Sequence, residues 1–113
     1  MLNKLLLLAL SILIGFMIIS QVPVWAVDLN HGEEIFSIHC AGCHPNGSNI
    51  IRRGKNLKLK ALQKNKVDSL EAIAALVTNG KNNMSAYSDR LTPEEIQAVS
   101  VYVLEQAQNN WTK

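Results

Sequence analysis

The chain has 113 residues, 48% of them hydrophobic, with 11 basic and 9 acidic side chains and a formal charge of +2. That length is enough for one small domain, a net charge so near zero selects no class of partner, and two cysteines cannot build a disulfide framework.

Residues 1–26 differ from the rest and read as a signal peptide. Lys4 gives a short positive start, LLLLALSILIGFMII (5–19) is an apolar run, and VWA (24–26) places small residues where a signal peptidase cuts, leaving Val27 as the new N-terminus. A retained membrane anchor is the competing reading, weakened because the uninterrupted run is shorter than the ~20 residues a spanning helix needs. Either way the remainder, residues 27–113, is expected to work outside the cytosol as one domain. It holds ten basic and nine acidic residues, since only Lys4 leaves with the leader. A domain this small buries only about 60% of its unfolded surface, so a metal, disulfide or cofactor is expected to help hold it.

The first element of that domain is a helix over DLNHGEEIFSIHC (28–40). Asn30 is its expected N-cap with Glu33 in an approximate capping box, and Ile35, Phe36 and Ile38 supply apolar contacts. Gly32 inside a helix costs ~1 kcal/mol relative to alanine, so its use is to let another backbone come close.

The helix runs into CAGCH, Cys40 to His44, which holds both thiols of the chain. Cysteines three apart can form a redox disulfide, hold half of a zinc site, or add to the two vinyl groups of a haem; the histidine directly after the second matches the C-x-x-C-H attachment signature of c-type haem. On that reading Cys40 and Cys43 carry the thioethers and His44 is the proximal iron ligand. Dithiol chemistry wants a βαβ context and zinc wants two more ligands, neither of which the pattern supplies.

PNGSNIIRRG (45–54) is loop, and a short, ill-defined helix follows in LKLKALQKN (57–65). DSLEAIAALVTNG (68–80) is a clearer helix, with Asp68 as cap, Glu71 completing the box, Leu70, Ile73, Ala74 and Val77 at helical spacing, and Gly80 as the stop. KNNMSAYSDR (81–90) is a second loop. The last helix, TPEEIQAVSVYVLEQAQ (92–108), has Thr92 as cap, Pro93 at the first helical position and Glu95 at the third. No strand alternation stands out, so the fold class is all-α.

A haem iron has a second axial position. Residues 27–113 contain one methionine, Met84, in the loop between the last two helices, where its thioether can reach the other haem face. Core filling is the alternative for Met84. His31 lies on the attachment helix and His39 adjoins Cys40, so both are expected to be surface histidines. His/Met ligation raises the reduction potential and closes both axial sites, which favours electron transfer over bond chemistry.

These residues resemble class I c-type cytochromes, and within them the cytochrome c6 family. The likeness rests on GEEIFSIHCAGCH, VDSLEAIAALVTNGKNNM and RLTPEEIQAVSVYVLEQAQNNW, in that order. It implies about four helices wrapped around one covalently bound haem c. It also implies Cys40 and Cys43 as thioether residues, His44 as proximal and Met84 as distal ligand, and Gly32 and Phe36 crossing the last helix near Tyr102. By the same resemblance the protein is a soluble electron carrier and not an enzyme, taking electrons from the cytochrome b6f complex to photosystem I or a terminal oxidase. It would dock transiently on these membrane complexes, as a monomer, in the thylakoid lumen or periplasm. Family members commonly follow the methionine with proline, alanine and phenylalanine, where this chain has MSAY, and the loop after His44 is more basic than usual; both point to a divergent c6-like branch. A small haem peroxidase or ligand-binding protein, or a redox sensor, is the alternative.

Ile50, Ile51, Ala86 and Tyr87 are candidates for an apolar collar at the haem edge, with core packing as the other reading. Between residues 52 and 66 lie Arg52, Arg53, Lys55, Lys58, Lys60, Lys64 and Lys66 and no acid, while the rest of 27–113 has three basic and nine acidic residues. The run is either a solvated surface or a field that steers the protein to an acidic docking patch. Export argues against nucleic acid as its partner.

Overall fold

The computed structural model describes residues 1–18 and 28–112, and the expected cleavage point at Ala26 lies outside them. Five helices occur among the described residues: α1 (Leu2–Ile18), α2 (Leu29–His39), α3 (Leu59–Lys64), α4 (Leu70–Asn79) and α5 (Pro93–Gln108). Short 3-10 turns cover Pro45–Gly47 and Arg53–Lys55, and among the described residues there is no strand. The fold is all-α, with four helices after residue 28. Leu5, Leu6, Leu7 and Leu8 of α1 are exposed, and no described helix is long and apolar enough to cross a membrane.

The helix starts show which local signals win. At α5 Thr92 accepts from the Glu95 N–H at 3.2 Å while the Glu95 carboxylate accepts from the Thr92 N–H at 2.8 Å, the reciprocal box expected there. At α2 the cap is Asp28 and not Asn30: the Asp28 carboxylate accepts from the Asn30 N–H at 3.0 Å, starting the helix earlier. At α4 Ser69 replaces the expected Asp68, accepting from the Ala72 N–H at 3.2 Å. Aspartate, asparagine and serine cap about equally well, so the path of the entering chain chooses among neighbours.

The main seam is the crossing of α2 over α5. A Cβ on Gly32 would stand 2.5 Å from the Ala98 carbonyl oxygen and 2.9 Å from Tyr102 Cβ, so only glycine permits this approach. Around the seam Ile35, Phe36, Ile73, Val77, Ile96, Val99, Val103 and Ala107 form the core. Ile38 does not join it and is 68% exposed. It sits about 200° round the helix from Phe36, off the buried stripe of Gly32, Ile35 and Phe36.

After α5 the chain turns back through two residues in the left-handed region, Asn110 (φ 55°) and Trp111 (φ 57°). The Trp111 indole packs 5.1 Å from the Phe36 ring, and its Nε1–H donates to the Leu57 carbonyl at 3.0 Å. Gly47 (φ 76°) lies flat against it, where a Cβ would be 2.4 Å from the indole. One side chain thus clamps the loop that follows His44 onto the helical core.

Candidate functional site

Beneath that loop opens a cleft enclosing about 1090 Å³, counting its mouth. Cys40, Cys43 and His44 line it from the segment that ends α2, and Met84 lines it from the turn after α4, so the structure brings together all four residues expected from the sequence. His39, Asn49, Asn65, Val67, Leu76 and Tyr87 complete much of the wall.

The attachment segment is a continuation of α2. The Cys40 and Ala41 amides both donate to the Phe36 carbonyl at 2.9 Å, and the Cys43 and His44 amides donate to the Cys40 carbonyl at 3.2 and 2.9 Å. This winding places both sulfurs and the imidazole on one cleft. Burial, with the neighbouring Cys43, pushes the Cys40 thiol up to about 11. The site therefore favours an uncharged sulfur, which a thioether is.

His44 has a fixed orientation. Its Nδ1 lies 2.9 Å from the Ser48 carbonyl oxygen. A carbonyl only accepts, so Nδ1 carries the hydrogen and Nε2 presents a lone pair. Metal-binding imidazoles are commonly tied in this way. Ser48 is itself held by its hydroxyl, which donates to the Pro45 carbonyl at 2.6 Å.

Met84 closes a tight turn. The Lys81 N–H donates to the Met84 carbonyl and the Met84 N–H to the Lys81 carbonyl, each at 3.0 Å, with Asn82 (φ 53°) in the left-handed region. Gly80 (φ 67°) ends α4 as expected, and a Cβ there would stand 2.5 Å from the Met84 carbonyl oxygen. Met84 is half-buried against the core and faces the same cleft, so packing and cleft lining are not exclusive.

The other candidates divide. His31 is exposed beside Glu34 on α2, as expected. His39 is half-buried and lines the cleft, its ring edge-on to that of Tyr87 with centroids 6.0 Å apart. Ile51 and Tyr87 line the cleft; Ile50 and Ala86 do not. Among the described residues no group of three or more His, Cys, Asp or Glu side chains gathers to hold a metal ion, which leaves the zinc reading without its ligand set.

Sequence reading had missed several supporting contacts. Asn49 turns the loop, its Oδ1 accepting from the Ile51 and Arg52 amides at 2.9 and 2.7 Å while its amide donates to the Lys55 carbonyl at 3.0 Å. Asn65 takes the Lys55 ammonium and donates to the Gly54 carbonyl at 3.2 Å. The basic run therefore begins on the cleft wall at Arg52 and Lys55, and all seven of its cations are exposed. Tyr87 donates its phenol hydrogen to the His39 carbonyl at 2.9 Å, under the Arg90 guanidinium at 4.3 Å. Burial raises the phenol above its ordinary range, which keeps the hydrogen in place.

A cleft with paired thiols wound beside an imidazole of fixed tautomer, faced by a methionine turn within crossed helices, suits a covalently held haem and defines a c-type cytochrome of class I fold. The comparisons with known proteins agree. The family described as cytochrome c oxidase, cbb3-type, subunit III matches residues 27–103. A cytochrome c6-like protein of Nostoc sp. strain PCC 7120 is 67% identical over 89 residues, covering 79% of this chain and 80% of its own. Cytochrome c6 of Cyanidioschyzon merolae is 53% identical over 88 residues, covering 78% and 84%. The crystal structure of cytochrome c6C from Synechococcus sp. PCC 7002 superposes with a TM-score of 0.69 at 66% identity, over 70% of this chain and 96% of that one. The chain belongs to the cytochrome c6-like family, carries one covalently bound haem c and works as a haem electron carrier.

Proposed function

We propose that Cys40 and Cys43 carry the two thioether links, that His44 Nε2 is the proximal iron ligand and that Met84 supplies the distal sulfur. The observation that carries this is the convergence of all four side chains on one cleft from two separate segments. When bound, the haem supplies a one-electron couple. The chain's own residues do the rest: the Ser48 carbonyl aims the imidazole, the Lys81–Met84 turn holds the thioether, and the half-buried walls exclude water so that little rearranges when the charge changes.

The electron passes, on this reading, from the cytochrome b6f complex to photosystem I or to a terminal oxidase. Residues 1–26 direct export and are removed, leaving residues 27–113 as a soluble monomer in the thylakoid lumen or periplasm. The basic run from Arg52 to Lys66 docks transiently on acidic surfaces of the membrane complexes, and because it starts at the cleft wall it directs the haem edge toward the partner.

Two measurements test this. The oxidised protein is expected to show a sulfur-to-iron charge-transfer band that Met84→Ala abolishes while lowering the potential; an unchanged spectrum would remove Met84 from the iron. Stopped-flow mixing with photosystem I is expected to give fast oxidation that slows as salt rises. A potential well below that of the b6f donor, with no oxidation, would refute the carrier route.

A further inference from the structure

The last residue of a helix has no intrahelical partner for its carbonyl. In α2 that residue is His39, immediately before Cys40, and its carbonyl is taken by the Tyr87 phenol from the far side of the cleft at 2.9 Å. Tyr87 is also fixed at its backbone, where its amide donates to the Val77 carbonyl of α4 at 2.9 Å and its carbonyl accepts from Leu91 at 2.9 Å. Three residues earlier lies Met84. A phenylalanine at this place would fill the same space but has no hydrogen to donate.

We propose that Tyr87 is a positioning residue, a latch whose phenol ties the loop bearing Met84 to the end of the helix bearing Cys40, Cys43 and His44, and so sets how often the methionine lets go of the iron. The proposal rests on Met84 as distal ligand. The loop's other hydrogen bonds, the Lys81–Met84 turn and the Tyr87 amide on Val77, attach it to itself and to α4, and the edge-on contact of the Tyr87 and His39 rings is one that a phenylalanine would keep. Within the loop it is the phenol bond that spans from the distal side to the attachment helix, over a sequence separation of 48. Losing it frees the loop to swing out with α2 and α4 intact.

The experiment compares haem-loaded wild type, Tyr87→Phe and Asp28→Ala in the ferric state. The wild type must first show the sulfur-to-iron band. Saturating imidazole is then added, so that the decay of the band reads the opening of the methionine bond. Tyr87→Phe keeps the ring and is expected to keep the band but open roughly fivefold faster, the loss of one ordinary hydrogen bond. Asp28→Ala removes a helix cap at the other end of α2 with a comparable effect on whole-molecule stability, and is expected to leave the rate within twofold of wild type. A rate for Tyr87→Phe within twofold of wild type would overturn the latch, and so would equal acceleration in both variants, which would mean the rate follows general stability. A wild type without the band would remove the distal assignment and the proposal together, a result distinct from a band present in all three proteins with equal rates.

Discussion

Gly32→Ala sets two physical effects against each other. Helix propensity alone favours the change, since alanine in a helix interior is better than glycine by about 1 kcal/mol. The seam opposes it: the added methyl would lie 2.5 Å from the Ala98 carbonyl oxygen, 2.9 Å from Tyr102 Cβ and 3.0 Å from the Ala98 carbonyl carbon. Two of the three obstacles are α5 backbone, which no rotamer change moves, so the helices must part by roughly 1 Å and loosen the contact of Phe36 with Tyr102, whose ring centroids are 5.5 Å apart. Overpacking of this kind costs about 1–3 kcal/mol, and an immovable carbonyl places it at the upper end. The net expectation is a loss of about 1–2 kcal/mol. In urea that lowers the unfolding midpoint by roughly 0.5–1 M at unchanged slope. A midpoint equal to or above wild type would show that propensity outweighs the close approach, and the account of the seam would be wrong.

Trp111→Ala should cost about 3–5 kcal/mol, because it removes both the packing on Phe36 and the clamp on Leu57; thermal unfolding checks it. Lys66 closes α3 with φ 57°, a conformation glycine adopts without strain, so Lys66→Gly should stabilise by about 0.5–1 kcal/mol, read from the urea midpoint. Reversing Lys58, Lys60 and Lys64 to glutamate should slow association with an acidic redox partner and flatten or invert its salt dependence, with a far smaller effect on the potential; an unchanged association rate would make these lysines a merely solvated surface.

What could be read from the sequence was what neighbouring residues settle among themselves. Thr92, Pro93 and Glu95 start α5 by contacts within one turn, Gly80 ends α4 by its own backbone freedom, and CAGCH is contiguous. Gly32 was legible for another reason: a residue that weakens its own helix needs a compensating use elsewhere. Caps were misplaced at Asn30 and Asp68 because capping side chains of nearly equal strength stood one or two residues away. The contacts that frame the cleft stayed hidden because they join distant segments: Trp111 reaches Leu57 over a separation of 54, and Tyr87 reaches His39 over 48. Nothing in local spacing marks the Ser48 carbonyl as the partner of His44 either, since every residue offers the same oxygen and loop geometry alone selects one.

The crossing of α2 over α5 also sets how the domain closes. Gly32 meets Ala98 only after a ring of roughly 65 residues has closed, an entropic penalty of about 4 kcal/mol that no local contact offsets in advance. Contacts this distant in sequence slow folding, whereas α4 and α5 are started by residues within a turn of one another. The domain shuts by joining its first and last helices, and until that junction forms its interior remains open to whatever must be installed there.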